Sequence, residues 1–353
     1  MGGPRSDLPL PELENLGFQF METDRLYRSL GDQDKQPVWD SGEFLPFGSV
    51  SLSPAAAFFS YGIGIFEGLK AQRAADGKIL LFRHHDNARR FRRSAERLIM
   101  PPFPEEQFVR AVEGVVRQNA RFVPPHAKGS LYVRPLQHAI EPQVGIRPCS
   151  RFWVLIFGCP VGNYFADGLS NPTAAGVRLK VLEQGRCAAG GTGAAKAMGN
   201  YAGGITLAQA WKQHGFDDVL YLDARHVKYL TETSGSNVFV KLKSGNLVTP
   251  ALDDQILAGI TRDSAIRIAR EFLGLTVEER PVTVEEALDD GEEVFCTGTA
   301  WTIQHVRELD YLGRAHTFGS RELQQAILDR ILGIQQGEKE DPFGWVTEVT
   351  DEG

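Results

Sequence analysis

Residues 190–202 read Gly190-Gly191-Thr192-Gly193-Ala194-Ala195-Lys196-Ala197-Met198-Gly199-Asn200-Tyr201-Ala202, a lysine enclosed almost entirely by small residues. The glycines let the backbone bend, and the small neighbours admit something bulky and rigid to the amine, so this stretch reads as a loop. An amine stripped of water drops in pKa and becomes a nucleophile that can bond an aldehyde. Two readings stay open on this stretch alone: a covalent lysine–aldehyde cofactor site, or a glycine-rich surface turn with a solvated lysine. A phosphate-cradling P-loop does not fit, because Ala195 precedes the lysine and the Gly-Lys-Ser/Thr ending is absent.

The chain has 353 residues, 42% hydrophobic and 24% charged, an ordinary globular make-up long enough for two domains. The expected division is a small N-terminal α/β domain over residues 1–166, a turn-rich linker over 167–176 and a larger C-terminal domain over 177–353. A net charge of −7 argues against nucleic-acid and anionic-membrane partners, which need a broad basic surface. No apolar run approaches the ~20 residues of a membrane helix. Residues 1–16 lack the regions of a secretion signal, and Met1-Gly2-Gly3-Pro4-Arg5-Ser6 fits a myristoylation pattern only formally. Cys149, Cys159, Cys187 and Cys296 lie far apart without a CxxC pair, which points to reduced cytosolic thiols and to no metal site.

Hydrophobic patterning predicts strands at residues 78–83, 131–134, 152–157, 177–182, 219–222, 229–231, 238–243, 247–249 and 294–296, with Ser244-Gly245-Asn246 as a hairpin turn. Helices are expected over 86–100 with Asp86 as N-cap, after Pro104, along Ile205, Ala208 and Trp211, and over 261–272. Helices mixed with short antiparallel pairs predict an α+β fold. Residues after Gly337 are acidic and expected to be loosely held.

Several polar groups suit a phosphorylated aldehyde. Gly259, Ile260 and Thr261 open a helix, where free N–H groups favour a phosphate; an ordinary Thr N-cap with an Asp263–Arg267 pair reads equally naturally. Thr297-Gly298-Thr299-Ala300 offers a second phosphate contact or a plain turn. Arg89, Arg90, Arg92, Arg93 and Arg97 form a solvated face with room for one bidentate phosphate contact. Glu232, placed between two strands, is either a partner for a pyridinium nitrogen or an exposed glutamate.

Six segments, taken in order, resemble one family. They are Tyr61-Gly62-Ile63-Gly64-Ile65-Phe66-Glu67-Gly68-Leu69-Lys70-Ala71, Tyr132-Val133-Arg134-Pro135, the lysine segment through Tyr201, Glu232 to Asn237, Gly259-Ile260-Thr261-Arg262 and Gly298-Thr299-Ala300. Over residues 17–312 the chain resembles the branched-chain amino-acid aminotransferases, class-IV aminotransferases of the fold-type IV pyridoxal-phosphate architecture, whose C-terminal, cofactor-binding domain has a barrel-like β core. The resemblance implies transfer of the amino group of L-leucine, L-isoleucine and L-valine to 2-oxoglutarate, giving branched-chain 2-oxo acids and glutamate. It implies Lys196 as the residue bonded to pyridoxal 5'-phosphate, Glu232 at the ring nitrogen and Tyr201 at the phenolic oxygen. It further implies Leu257 against the ring, and Arg90, Gly259, Ile260, Thr261 and Thr299 around the phosphate. Tyr61, Phe66, Tyr132 and Tyr164 would wall the substrate pocket, Arg134 would take glutamate's side-chain carboxylate, and the backbone of Thr299 and Ala300 the α-carboxylate. A cytoplasmic homodimer with sites near the subunit interface follows from the same likeness.

Trp301, Thr231, Met198 and Gln72 depart from common family choices, and no cysteine pair lies near Thr299. None removes a group the chemistry needs. The alternatives are a D-amino-acid or amine transaminase of the same fold, an aminochorismate-type lyase and a non-catalytic ligand-binding relative. Tyr132-Val133-Arg134 favours the L-branched-chain form over the first, and a non-catalytic relative would be expected to lose Lys196 or Glu232.

Overall fold

The structure, a computed structural model, describes residues 8–13, 16–162 and 175–350. It divides into two units: Met1–Asp167 with Ala195–Gly199 and Gly333–Gly353, and Gly168–Ala194 with Asn200–Leu332. The expected boundaries put everything beyond residue 176 in one domain, whereas the lysine segment and the C-terminal segment group with the N-terminal unit. Long-range backbone pairing is the reason. Phe66 N–H donates to the Lys196 carbonyl at 3.1 Å, and Met198 N–H donates to the Gly64 carbonyl at 3.0 Å. Residues 163–174, which hold most of the expected linker and Tyr164, lie outside the described residues.

The first unit is built on one antiparallel sheet. Its strands are β1 (Arg25–Asp32), β2 (Glu43–Pro46), β3 (Gly64–Phe66), β4 (Leu69–Arg73), β5 (Ile79–Phe82), β6 (Ser130–Ala139), β7 (Arg151–Val161) and the C-terminal strand Val346–Glu348. The order runs from the C-terminal strand through β5, β4, β6, β7 and β1 to β2, with β3 also paired to β6. A short helix, α1 (Ala57–Tyr61), precedes β3, and two longer ones, α2 (His84–Arg97) and α3 (Glu105–Gln118), supply much of the core. Ala88, Phe91 and Ala95 form one buried stripe of α2, and Phe108, Val112, Val115 and Val116 that of α3. Phe91 and Phe108 meet with ring centroids 5.1 Å apart. Burial stabilises each such ring by about 1.5–3 kcal/mol.

Two local expectations are corrected here. The N-cap of α2 is Arg83, at φ 53°, and Asp86 lies in the first turn, where its carboxylate accepts from the guanidinium of Arg83 at 2.7 Å. The segment after Gly337 is not loose. Its strand pairs with β5, Trp345 is buried and stacks on Phe343 at 4.1 Å, and the Arg83 guanidinium lies 4.9 Å from the Trp345 ring. Two aromatic rings outweigh the acidic composition.

In the second unit β8 (Val177–Leu182), β9 (Asp218–Leu222), β10 (Leu230–Thr233), β11 (Asn237–Leu242), β12 (Leu247–Thr249), β13 (Val277–Glu279), β14 (Gly291–Gly298), β15 (Thr302–Tyr311) and β16 (Arg314–Thr317) form a second sheet. Its order β10-β9-β8-β15-β14-β11 closes through a β10–β11 pairing, which makes the expected barrel-like core. Phe239 and Phe295, paired across β11 and β14, are buried and stack at 5.0 Å. Gly245 takes φ +92° in the predicted turn between β11 and β12. The helices that matter to the site are α4 (Gly199–Lys212) and α5 (Ile260–Glu271).

Candidate active site

In the first unit, strand alternation puts Tyr132, Arg134 and Leu136 on one face of β6. Phe66 pairs with Leu136 and Lys70 with Tyr132, so both join that face. The Arg134 guanidinium lies 4.8 Å from the Phe66 centroid and 5.2 Å from that of Tyr132, and it donates to the Tyr132 hydroxyl at 3.3 Å. Lys196 Nζ lies 4.7 Å from the same Phe66 ring. An amine and a guanidinium therefore share one aromatic platform, which attracts both by its negative face. Gly68 is required beside it, because a Cβ there would sit 2.0 Å from the Tyr132 hydroxyl.

The lysine is held from its backbone. Its N–H donates to Ser94 Oγ at 3.0 Å, Ala197 bridges Ile65, and the side chain is half-buried. A solvated surface turn does not describe it. Behind the platform, Glu67 is fully buried and accepts two hydrogen bonds from Arg90 and one from Asn87. Burial pushes the Glu67 carboxyl up, but Arg90, by charge and hydrogen bonds, and Lys196, by charge, hold it below the usual carboxylate range. Arg90 thus has two donors committed to Glu67. Tyr61 ends α1, and its hydroxyl donates to the Val144 carbonyl. Burial also lowers the Lys70 amine to about 8.

In the second unit, Glu232 is a member of β10 opposite Asn237, not a residue between strands, and it is buried. Arg186 donates to Glu232 Oε1 at 2.5 Å, and the Leu257 N–H donates to the same oxygen at 3.3 Å. Sequence reading missed Arg186. The only signal was a lone arginine opening the glycine-rich stretch, and a buried arginine demands a carboxylate.

Gly259 is the N-cap of α5, and Thr261 lies within the first turn. The Thr N-cap alternative is therefore replaced by a glycine cap, although Asp263 does pair with Arg267 at 3.1 Å. A Cβ at position 259 would lie 2.1 Å from Asn237 Oδ1, and Asn237 donates to the Leu257 carbonyl at 3.0 Å. The buried Thr297 hydroxyl has no hydrogen-bond partner among the described residues. Thr299 and Ala300 form the half-buried turn from β14 to β15, and Tyr201 is half-buried in the first turn of α4. Among the described residues no group of three or more His, Cys, Asp or Glu could hold a metal ion.

The family model described as amino-transferase class IV matches residues 64–309, and the chain belongs to that family. A chloroplastic branched-chain amino acid aminotransferase 2 of Humulus lupulus is 43% identical over 342 residues, covering 96% of this chain and 81% of that protein. Branched-chain-amino-acid transaminase 1 of Bacillus subtilis is 37% identical over 348 residues, covering 96% of each. Among solved structures, the branched-chain aminotransferase of the thermophilic archaeon Thermoproteus uzoniensis with norvaline is similar at a TM-score of 0.77 and 29% identity. That likeness covers 93% of this chain and all of the other.

Proposed function

We propose that the chain is a pyridoxal-5'-phosphate-dependent branched-chain-amino-acid transaminase, moving the amino group of L-leucine, L-isoleucine or L-valine to 2-oxoglutarate and back. The observation that carries this reading is the ring of Phe66 with Lys196 Nζ at 4.7 Å and the Arg134 guanidinium at 4.8 Å. Aromatic surface beside a reactive amine suits a branched apolar side chain. A guanidinium on the same ring suits the second carboxylate of glutamate, so one pocket serves both substrates of an alternating reaction. An apolar pocket separates side chains differing by one methylene by only ~1–3 kcal/mol, so all three branched amino acids are accepted.

The residues fit the cofactor. A lysine beside an aromatic ring suits the aldehyde, and the buried Glu232 suits the ring nitrogen. A helix start with a glycine cap and a nearby buried hydroxyl suits a phosphate. Bound pyridoxal phosphate supplies an electron sink that acidifies the hydrogen on the substrate's α-carbon. Lys196 Nζ accepts that proton as general base. Glu232 is the anionic partner of the ring nitrogen. Arg90, Ile260, Thr261 and Thr299 would hold the phosphate, Tyr201 the phenolic oxygen, and Leu257 would pack against the ring. The backbone at Thr299 and Ala300 orients the α-carboxylate, while Tyr61, Tyr132 and Tyr164 complete the wall begun by Phe66.

The working form is a homodimer. Val144 and Ile146 are each 89% exposed and Phe59 is 59% exposed, an apolar surface suited to a second copy. Light scattering that finds an active monomer would overturn this. Four free cysteines suit the cytoplasm, to be checked by fractionation.

The first test is the visible spectrum of the purified protein. A yellow band that L-leucine bleaches and 2-oxoglutarate restores is expected. A band bleached only by a D-amino acid or an amine would overturn the substrate assignment, and no band after incubation with pyridoxal phosphate would overturn the cofactor assignment.

A further inference from the structure

Glu232 is buried on a strand of the closed barrel, and a buried carboxylate without a cation shifts towards its neutral form. A neutral acid gives a ring nitrogen no anionic partner. The cation is supplied by Arg186, whose side chain is 6% exposed against 5% for Glu232. Arg186 Nη2 also donates to the Gly193 carbonyl at 3.1 Å, so the same group holds the carboxylate and the loop that leads to Lys196. Gly193 packs against the backbone of Gln255 with no room for a side chain, since a Cβ there would lie 2.5 Å from the Gln255 carbonyl oxygen. With the Leu257 N–H also directed at Oε1, two donors from different segments fix one oxygen of the carboxylate.

We infer that Arg186 is a positioning residue of the cofactor site, holding Glu232 ionised and in one orientation for the ring nitrogen; this rests on the pyridoxal phosphate reading above. Arg186 does not take the ring nitrogen itself. It acts through Glu232, so its effect disappears when Glu232 can no longer ionise. A purely structural ion pair would cost stability when broken but leave cofactor affinity and the ring-nitrogen signal of the folded protein unmoved.

The test uses the full-length apoprotein of wild type, Arg186→Met, Arg186→Lys, Glu232→Gln and the double variant. It reads affinity for pyridoxal phosphate, the 15N signal of ring-labelled cofactor and far-ultraviolet circular dichroism. Arg186→Met is expected to weaken uptake about tenfold or more and to move the 15N signal towards neutral pyridine. Arg186→Lys should recover part of both. In the Glu232→Gln background, Arg186→Met should change affinity less than about threefold. Wild-type affinity and an unmoved 15N signal in Arg186→Met would overturn the inference while leaving the cofactor reading intact. Failure of the wild type to take up the cofactor would overturn both. Should Arg186→Met not fold, Arg186→Lys and the double variant decide: a double variant binding far more weakly than Glu232→Gln alone would overturn the inference.

Discussion

Arg90 donates Nε–H and Nη2–H to the two oxygens of Glu67, at 2.7 and 2.8 Å, where the carboxylate has no exposed surface. Removing one partner leaves the other as an uncompensated buried charge. Glu67→Gln is expected to lower stability by about 3–5 kcal/mol in urea unfolding at pH 7. Because the folded pKa lies below the unfolded one, this contribution is present above the unfolded carboxyl value of ~4.3 and is lost as pH falls through the folded value. The gap between wild type and variant should therefore narrow below about pH 4. A gap that stays constant through acid would contradict the pairing.

Replacing Lys196 by alanine removes the amine on Phe66 but none of the backbone bonds that seat the segment. Lys196→Ala should cut transamination by at least ~10²–10⁴-fold. Its circular dichroism should match wild type, and turnover within about tenfold of wild type would refute the role.

Gly68→Ala drives a methyl group into the Tyr132 hydroxyl, which Arg134 also engages. The overpacking should cost about 1–3 kcal/mol of stability. The KM for 2-oxoglutarate should rise more than that for leucine, since the displaced hydroxyl is bonded to the guanidinium. Equal changes for both substrates would detach Arg134 from the choice between them.

The thiols should differ in reactivity. Burial pushes Cys296 up to about 12 and also raises Cys149, Cys159 and Cys187, but only Cys187 is part-exposed. Native alkylation followed by mass spectrometry should label Cys187 first and leave Cys296 unmodified. Labelling of Cys296 ahead of Cys187 would mean that the packing around β14 opens.

The helices α2 and α3 were legible because each carries an uninterrupted apolar stripe at helical spacing. So were the strands with continuous apolar runs, such as β7 and β11. β3 and β4 were not: each is short, and their residues read as part of a site motif. β15 was hidden because Gln304 and His305 are buried polar residues that break the strand pattern. Glu232 was identified by type, but its place in β10 was missed, since turn formers follow it closely. The unit that holds Lys196 was beyond local reasoning altogether. It is decided by the pairing of Ile65 with Ala197, two residues far apart in the chain. Arg186 lacked any periodic or motif signal, and only the folded barrel brings it to Glu232.

The first unit takes one edge strand of its antiparallel sheet from Val346–Glu348 and the segment that carries Lys196 from Ala195–Gly199. A ribosome delivers the edge strand only after the whole of the second unit. Domains commonly mature from the N-terminus during synthesis. Here the N-terminal unit begins first and is completed last, with the open edge of β5 waiting for Val346–Glu348. Synthesis that stops short of residue 346 would therefore yield a chain with an intact barrel and an unprotected sheet edge, a species fit for aggregation or chaperone capture.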